Sequence, residues 1–175
     1  MSLDHIEKRL RDIPDFPKPG ILFKDITPIL GDPDTFRACI QVFKDRYQDM
    51  NLDAIVAIDA RGFLFGAALA HDLELGLVPV RKQGKLPYSS LQASYELEYG
   101  SATLEVHEDA LSTGDRVIII DDLLATGGTA KAAAELVEQL GAEVVELAFL
   151  IEIAALEGRE KLAPLDVFAP IISRD

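Results

Sequence analysis

Two adjacent aspartates, Asp121 and Asp122, stand at the end of the apolar run VIII (117–120) and lead into Leu-Leu-Ala-Thr-Gly-Gly-Thr. Like charges side by side repel one another, and aspartate is a poor strand former, so the placement calls for a ligand. Vicinal carboxylates at a strand end can accept two hydrogen bonds from a cis-diol, as a ribose offers, and can stabilise positive charge on a sugar ring. Gly127 and Gly128 allow successive backbone N–H groups to point inward, and a following helix adds its positive end. With hydroxyls from Thr126 and Thr129 this makes an anion nest suited to a phosphate monoester. A plain capped turn would use the same glycines, and a metal the same carboxylates, but no third carboxylate or histidine stands at matching spacing. The loops that bind nucleoside triphosphates (Gly-x-x-x-x-Gly-Lys) and dinucleotides (Gly-x-Gly-x-x-Gly) are absent. The spacing fits one ligand, with phosphate in the nest and ribose over the aspartates.

The surrounding elements must carry that site. Leu3, Ile6, Leu10 and Ile13 fall at helical spacing and predict a helix over 3–12, followed by the irregular, proline-rich "PDFPKPG". Phe36, Ile40, Phe43 and Tyr47 mark a second helix started by "GDPDT". From Asp53 short apolar runs alternate with helical patterns: "AIVAI" then "DARG" and a helix over 63–73, and "LVPV" running into "RKQGKLP". "SYELEY" and "ATLEV" alternate about Gly100 as a hairpin or two extended arms. "VIII", a helix over 128–140 and "VVELAFLI" follow, and "APLDVFAP" closes the set as an edge strand that tolerates its prolines. This predicts an α/β fold, a mostly parallel twisted sheet flanked by helices on both faces. Ligands of such sheets sit beyond the carboxyl ends of the strands, at a topological switch point. "DARG" and "DDLLATGGT" both lie at such ends, so their strands are expected to be neighbours, as in the 2-1-3 order of flavodoxin-like sheets.

With 175 residues the chain is expected to form a single domain over 1–175. No apolar run reaches the ~18 residues of a membrane span, and the charged N-terminus lacks the apolar core of a secretory signal. A single cysteine, Cys39, cannot form an internal disulfide, which fits a cytoplasmic protein. The formal net charge of −13 and the lack of a basic stripe argue against nucleic-acid binding. Any anionic ligand must therefore be held by local cations and backbone dipoles against the global field. His5, His71 and His107 show no ligand spacing.

"VIIIDDLLATGGT" resembles the 5-phosphoribosyl 1-pyrophosphate (PRPP) signature of the type I phosphoribosyltransferases. "DFPKPGILFKDITPIL", "DARGFLFG", "RKQGKLP", "SYELEYG" and "GREKLAP" extend the resemblance, in order and over nearly the whole chain, to the adenine-using branch of that family. The resemblance implies the type I phosphoribosyltransferase fold with a small N-terminal hood (about 1–35) and a mobile lid (about 81–100). It places the 5′-phosphate on Ala125, Thr126, Gly127, Gly128 and Thr129, and the ribose hydroxyls on Asp121 and Asp122. Arg61 becomes the cation of the pyrophosphate loop. The lid brings Arg81, Lys82, Lys85 and Glu98 over the site, and the hood offers Leu22 for backbone contacts and Phe23 as a stacking face. Ala60 stands where some relatives carry serine, and Tyr88-Ser89-Ser90 occupies the lid tip.

The reaction implied is adenine plus PRPP giving AMP and pyrophosphate, in a cytoplasmic homodimer. Mg²⁺ would arrive largely with PRPP, and Arg61 with the lid cations would stabilise the leaving diphosphate. Glu98 would handle a proton at the purine imidazole edge. Read without the resemblance, Arg61, Lys82 and Lys85 could be surface cations, Glu98 an outward strand residue and Phe23 part of the core. The rival functions are another base, a 6-oxopurine or orotate, and a PRPP-sensing regulator without catalysis; the latter ordinarily carries extra length and positive charge.

Overall fold

The computed structural model describes residues 3–96 and 101–174. The chain runs α1 (Leu3–Glu7), β1 (Arg11–Pro14), β2 (Leu22–Asp25), α2 (Thr27–Leu30), α3 (Pro33–Tyr47), β3 (Ala54–Ile58) and α4 (Gly62–Asp72). It continues with β4 (Gly76–Lys82), β5 (Ser90–Glu96), β6 (Ser101–His107), β7 (Arg116–Leu124), α5 (Gly128–Gln139) and β8 (Glu143–Ile153). A 3₁₀ turn (Ala154–Leu156), α6 (Gly158–Leu162), β9 (Val167–Phe168) and β10 (Ile171–Ser173) complete it. No helix among the described residues is long and apolar enough to cross a membrane.

The main sheet has the order β10-β8-β7-β3-β4-β6-β5, with β9 also on β8. β4, β3, β7, β8 and β10 are parallel, while β6 and β5 extend the sheet antiparallel from β4. Taken in chain order these five parallel strands run 2-1-3-4-5, so β3 and β7 are hydrogen-bonded neighbours, as expected if "DARG" and "DDLLATGGT" serve one site. The switch point lies between them.

Both faces are covered, which explains why the strands read as unbroken apolar runs. Ile55, Ala57, Ile118 and Ile120 pack with Phe43 of α3 and with Phe65 and Leu69 of α4. Val56, Ile58, Val117 and Ile119 pack on the other face with Ala133, Leu136 and Val137 of α5. The start of α3 follows its sequence signal: the Asp32 side chain accepts hydrogen bonds from the backbone N–H groups of Asp34 and Thr35, and Pro33 opens the first turn.

Two expectations are corrected. The helix predicted over 3–12 stops at Glu7, and Arg11–Pro14 is a strand antiparallel to Leu22–Asp25. Its backbone partners return from beyond "PDFPKPG", and Lys24 crosses to Asp12 at 2.9 Å; local periodicity cannot register partners that far away. Of the edge strand expected over "APLDVFAP", only β9 is extended, and β10 follows the stretch; both are parallel to β8. The proline at position 170 removes a ladder donor between them.

One close approach sets the geometry of the switch point. A Cβ on Gly62 would lie 2.5 Å from the carbonyl oxygen of Ile120, so only glycine lets the first turn of α4 rest on the end of β7. Gly62→Ala should therefore force α4 outward and cost about 1–3 kcal/mol. A shift of the urea midpoint at unchanged slope is the expected reading; an unchanged midpoint would show that the two elements are not in contact.

Candidate active site

Arg61 is the last residue before α4, and the fold delivers it to β7. Its Nε donates to Oδ2 of Asp122 at 2.5 Å. The Asp122 side chain is 2% exposed and that of Arg61 is half exposed, so the pair joins a buried anion to a cation open to the cleft. Burial acts to lower the Arg61 pKa, but the hydrogen bond and charge of Asp122, then Asp121 and Asp25, outweigh it and hold the group above the usual arginine value. The guanidinium carbon also lies 5.7 Å from the centroid of the Phe23 ring on β2. That ring is braced edge-on by Phe16 at 5.2 Å. Arg61 thus touches both the strand end and the N-terminal segment.

The two aspartates occupy different environments, a distinction their shared sequence context conceals. Asp122 is matched by Arg61. Asp121 is half-buried, and its Oδ1 accepts from the Asp122 backbone N–H at 2.8 Å. Burial, and after it the neighbouring charge of Asp122, push the Asp121 carboxyl well above its ordinary value. Asp121 is the unbalanced charge of the pair.

The 125–129 loop follows directly. Gly127 has φ +78° and caps α5, a conformation that a Cβ would strain. Ala125, Thr126, Gly127, Gly128 and Thr129 line one cleft of ≈190 Å³ together with Arg61, Asp121 and Asp122. Eight of the sequence-predicted site residues therefore converge on one concavity. Leu22 lies one residue before Phe23 on β2, and is half-buried.

Arg81, Lys82 and Lys85 gather around Asp59, the first residue of "DARG" and a carboxylate only 5% exposed. Arg81 Nε stands 3.4 Å and Lys85 Nζ 3.8 Å from Asp59 Oδ2, and the Lys82 backbone N–H points to the same oxygen at 3.4 Å. The side chain of Lys82 is exposed. The turn that presents these cations is held by buried Glu105, which accepts from the Gly84 backbone N–H at 3.0 Å and from Gln92 Nε2 at 2.8 Å. Glu98 lies outside the described residues. Among the described residues, no three His, Cys, Asp or Glu side chains are grouped to hold a metal ion.

Sequence reasoning missed Asp59, Glu105 and Gly62 as supports. It also gave no role to Gly158 of "GREKLAP", which packs behind the 125–129 loop, or to Arg159, which pairs with Glu152. The motif itself was the available signal.

The phosphoribosyl transferase domain pattern matches residues 26–173, so the chain belongs to that family. The adenine phosphoribosyltransferase of Carboxydothermus hydrogenoformans is 58% identical over 157 residues, 90% of this chain and 92% of that protein. The crystal structure of adenine phosphoribosyltransferase from Thermoanaerobacter pseudethanolicus is 51% identical, with a TM-score of 0.96 over 98% of this chain and 100% of that one. The Saccharomyces cerevisiae adenine phosphoribosyltransferase, complexed with D-2,5-dideoxy-2,5-imino-altritol 1,6-bisphosphate and adenine, is 44% identical with a TM-score of 0.91 over 95% of this chain and 97% of that one. Within the family, the chain falls among the adenine phosphoribosyltransferases.

The unequal aspartates give a stability prediction for the ligand-free protein. A carboxyl raised in the folded state favours folding while protonated, and that contribution is lost as pH rises from about its unfolded value, 3.8, through the raised one. Asp121→Asn should therefore melt at or above wild type at pH 7, with the advantage disappearing below pH 4. Asp122→Asn should melt lower, by about 1–2 kcal/mol, since it loses a charge-assisted bond whose partner is half in solvent. Identical pH-dependent melting of the two variants would contradict the distinction.

Proposed function

We propose that the chain transfers the 5-phosphoribosyl group of PRPP to adenine, giving AMP and pyrophosphate, in purine salvage. The observation that carries this reading is one cleft lined by the 125–129 loop, the aspartate pair and a half-exposed arginine. At ≈190 Å³ the cleft is smaller than the ~300–1,000 Å³ of common ligand pockets, so a nucleotide-sized ligand must extend beyond it. Phe23, on the far side of Arg61, marks the direction for the base.

In this reading the 5′-phosphate accepts from the backbone N–H groups at 127–129, and the ribose hydroxyls donate to Asp121 and Asp122. The C1–O bond to diphosphate breaks and a C1–N bond to adenine forms, so positive charge develops on the sugar beside the aspartates. An ionised Asp121 is worth most at that moment, because a cation nearby returns its pKa toward the ordinary range. Arg61, Arg81 and Lys85 receive the negative charge gathering on diphosphate, with the lid loop leaving Asp59 as the ligand competes for its cations. Glu98 takes the proton released from the adenine imidazole edge. The N-terminal segment acts as hood, with Leu22 giving backbone polarity and Phe23 a stacking face, and the hairpin with its preceding turn acts as lid, excluding water.

Mg²⁺ enters with PRPP as part of the substrate, keeping waters and few protein ligands. In this reading the protein works in the cytoplasm, where a single cysteine such as Cys39 stays reduced. It is proposed to act as a homodimer, and light scattering at micromolar concentration tests the assembly.

The direct test is pyrophosphate release with PRPP and each base in turn. Adenine should be preferred, because a 6-oxo base reverses donor and acceptor at the hood and leaves buried groups unpaired at about 1–3 kcal/mol each. Equal turnover of hypoxanthine or guanine sinks the adenine reading. Glu98→Ala should lower kcat far more than it raises the KM for PRPP, and wild-type turnover in that variant removes its proton role. Asp121→Asn should lower kcat by about one to two powers of ten even though the fold is intact.

A further inference from the structure

The 125–129 loop contains Ala125, Gly127 and Gly128, so it has little side-chain packing with which to fix its own position. It is buttressed from behind by Gly158. A Cβ on Gly158 would lie 2.1 Å from the Ala125 carbonyl oxygen, and one on Gly127 would lie 2.7 Å from the Gly158 carbonyl oxygen. The two backbones are in contact, with no space for a side chain on either.

What places Gly158 there is the next residue. Arg159 donates from Nε to both carboxylate oxygens of Glu152 at 3.2 Å, and Nη2 also reaches Oε2. Its Nη1 donates to the Val167 carbonyl oxygen at 2.7 Å. Glu152 is 7% exposed and stands in register opposite Leu124, the residue immediately before the loop. The guanidinium therefore ties α6 to β8 and β9 at the level where β7 gives way to the loop. α6 has only five residues, too short to hold its own first turn without such an anchor.

We propose that Arg159 is a positioning residue for the phosphate loop. Its fork fixes Gly158 against Ala125 and Gly127, and so aims the loop's N–H groups without touching substrate. The inference rests on the reading of 125–129 as the cradle of the PRPP 5′-phosphate.

Arg159→Met keeps the apolar stem and removes the fork. Because a misplacement near 1 Å at a binding loop costs on the order of ten- to a hundredfold, the KM for PRPP should rise about tenfold. The KM for adenine, and kcat at saturating PRPP, should stay within about twofold, since the base and the reacting bond lie away from the loop. Arg159→Lys restores charge but not the planar fork, and should recover part of the loss. A folded Arg159→Met enzyme with a lower melting point but an unchanged KM for PRPP would overturn the proposal and leave Arg159 a purely structural residue. Should Arg159→Met not fold, Arg159→Lys carries the test: a KM for PRPP raised about threefold supports it, and an unchanged one overturns it. The wild-type enzyme separates the two readings. Absence of saturable PRPP turnover there defeats the phosphate cradle itself, whereas normal wild-type turnover with unshifted variants defeats only the positioning role.

Discussion

The bond between Arg61 and the buried carboxylate of Asp122 is the interaction on which the cleft depends. A carboxylate that is 2% exposed is costly unless a cation satisfies it, and Arg61 is brought there by laying the start of α4 on the end of β7. That contact demands Gly62, and it demands that β3 and β7 be adjacent strands. The same guanidinium also lies over the Phe23 ring, so the pair meets the N-terminal segment as well. Strand order and the Arg61–Phe23 contact meet in one side chain.

Much of this architecture was legible in the sequence. Continuous apolar runs at 54–58 and 117–120 could only be strands covered on both faces, and the Asp32-Pro33 signal marked the start of α3 where it begins. That the Gly-Gly loop and the aspartate pair share one cleft was readable because they follow one another directly at a strand end. What stayed hidden depended on partners distant in sequence. Arg11–Pro14 became a strand because Leu22–Asp25 returns to pair with it. Asp121 and Asp122 differ because Arg61 reaches one of them. Asp59 looked like part of a loop motif until Arg81 and Lys85 were seen gathered on it.

Charge organisation follows one rule at the switch point. In a chain of formal charge −13, three cations near the cleft are paired with buried or nearly buried acids: Arg61 with Asp122, and Arg81 and Lys85 with Asp59. An incoming anion therefore competes with carboxylates for cations already in place, rather than summoning them from solvent. This keeps the site organised at little entropic cost while leaving Asp121 as the one acid whose charge gains most from a cationic neighbour.

The neighbouring of β3 and β7 also orders events in time. β3 ends at residue 58 and β7 begins at residue 116, so the central strand stays bare on one edge until the intervening helix and hairpin have been made and β7 arrives. Loop closure over that separation comes before any contact that rewards it, which makes this pairing a slow step of folding. Until it happens, the apolar edge of β3 is open to pairing with another chain. The cleft is built on the parallel seam whose strands lie furthest apart in sequence, so the ligand site exists only once that edge is closed.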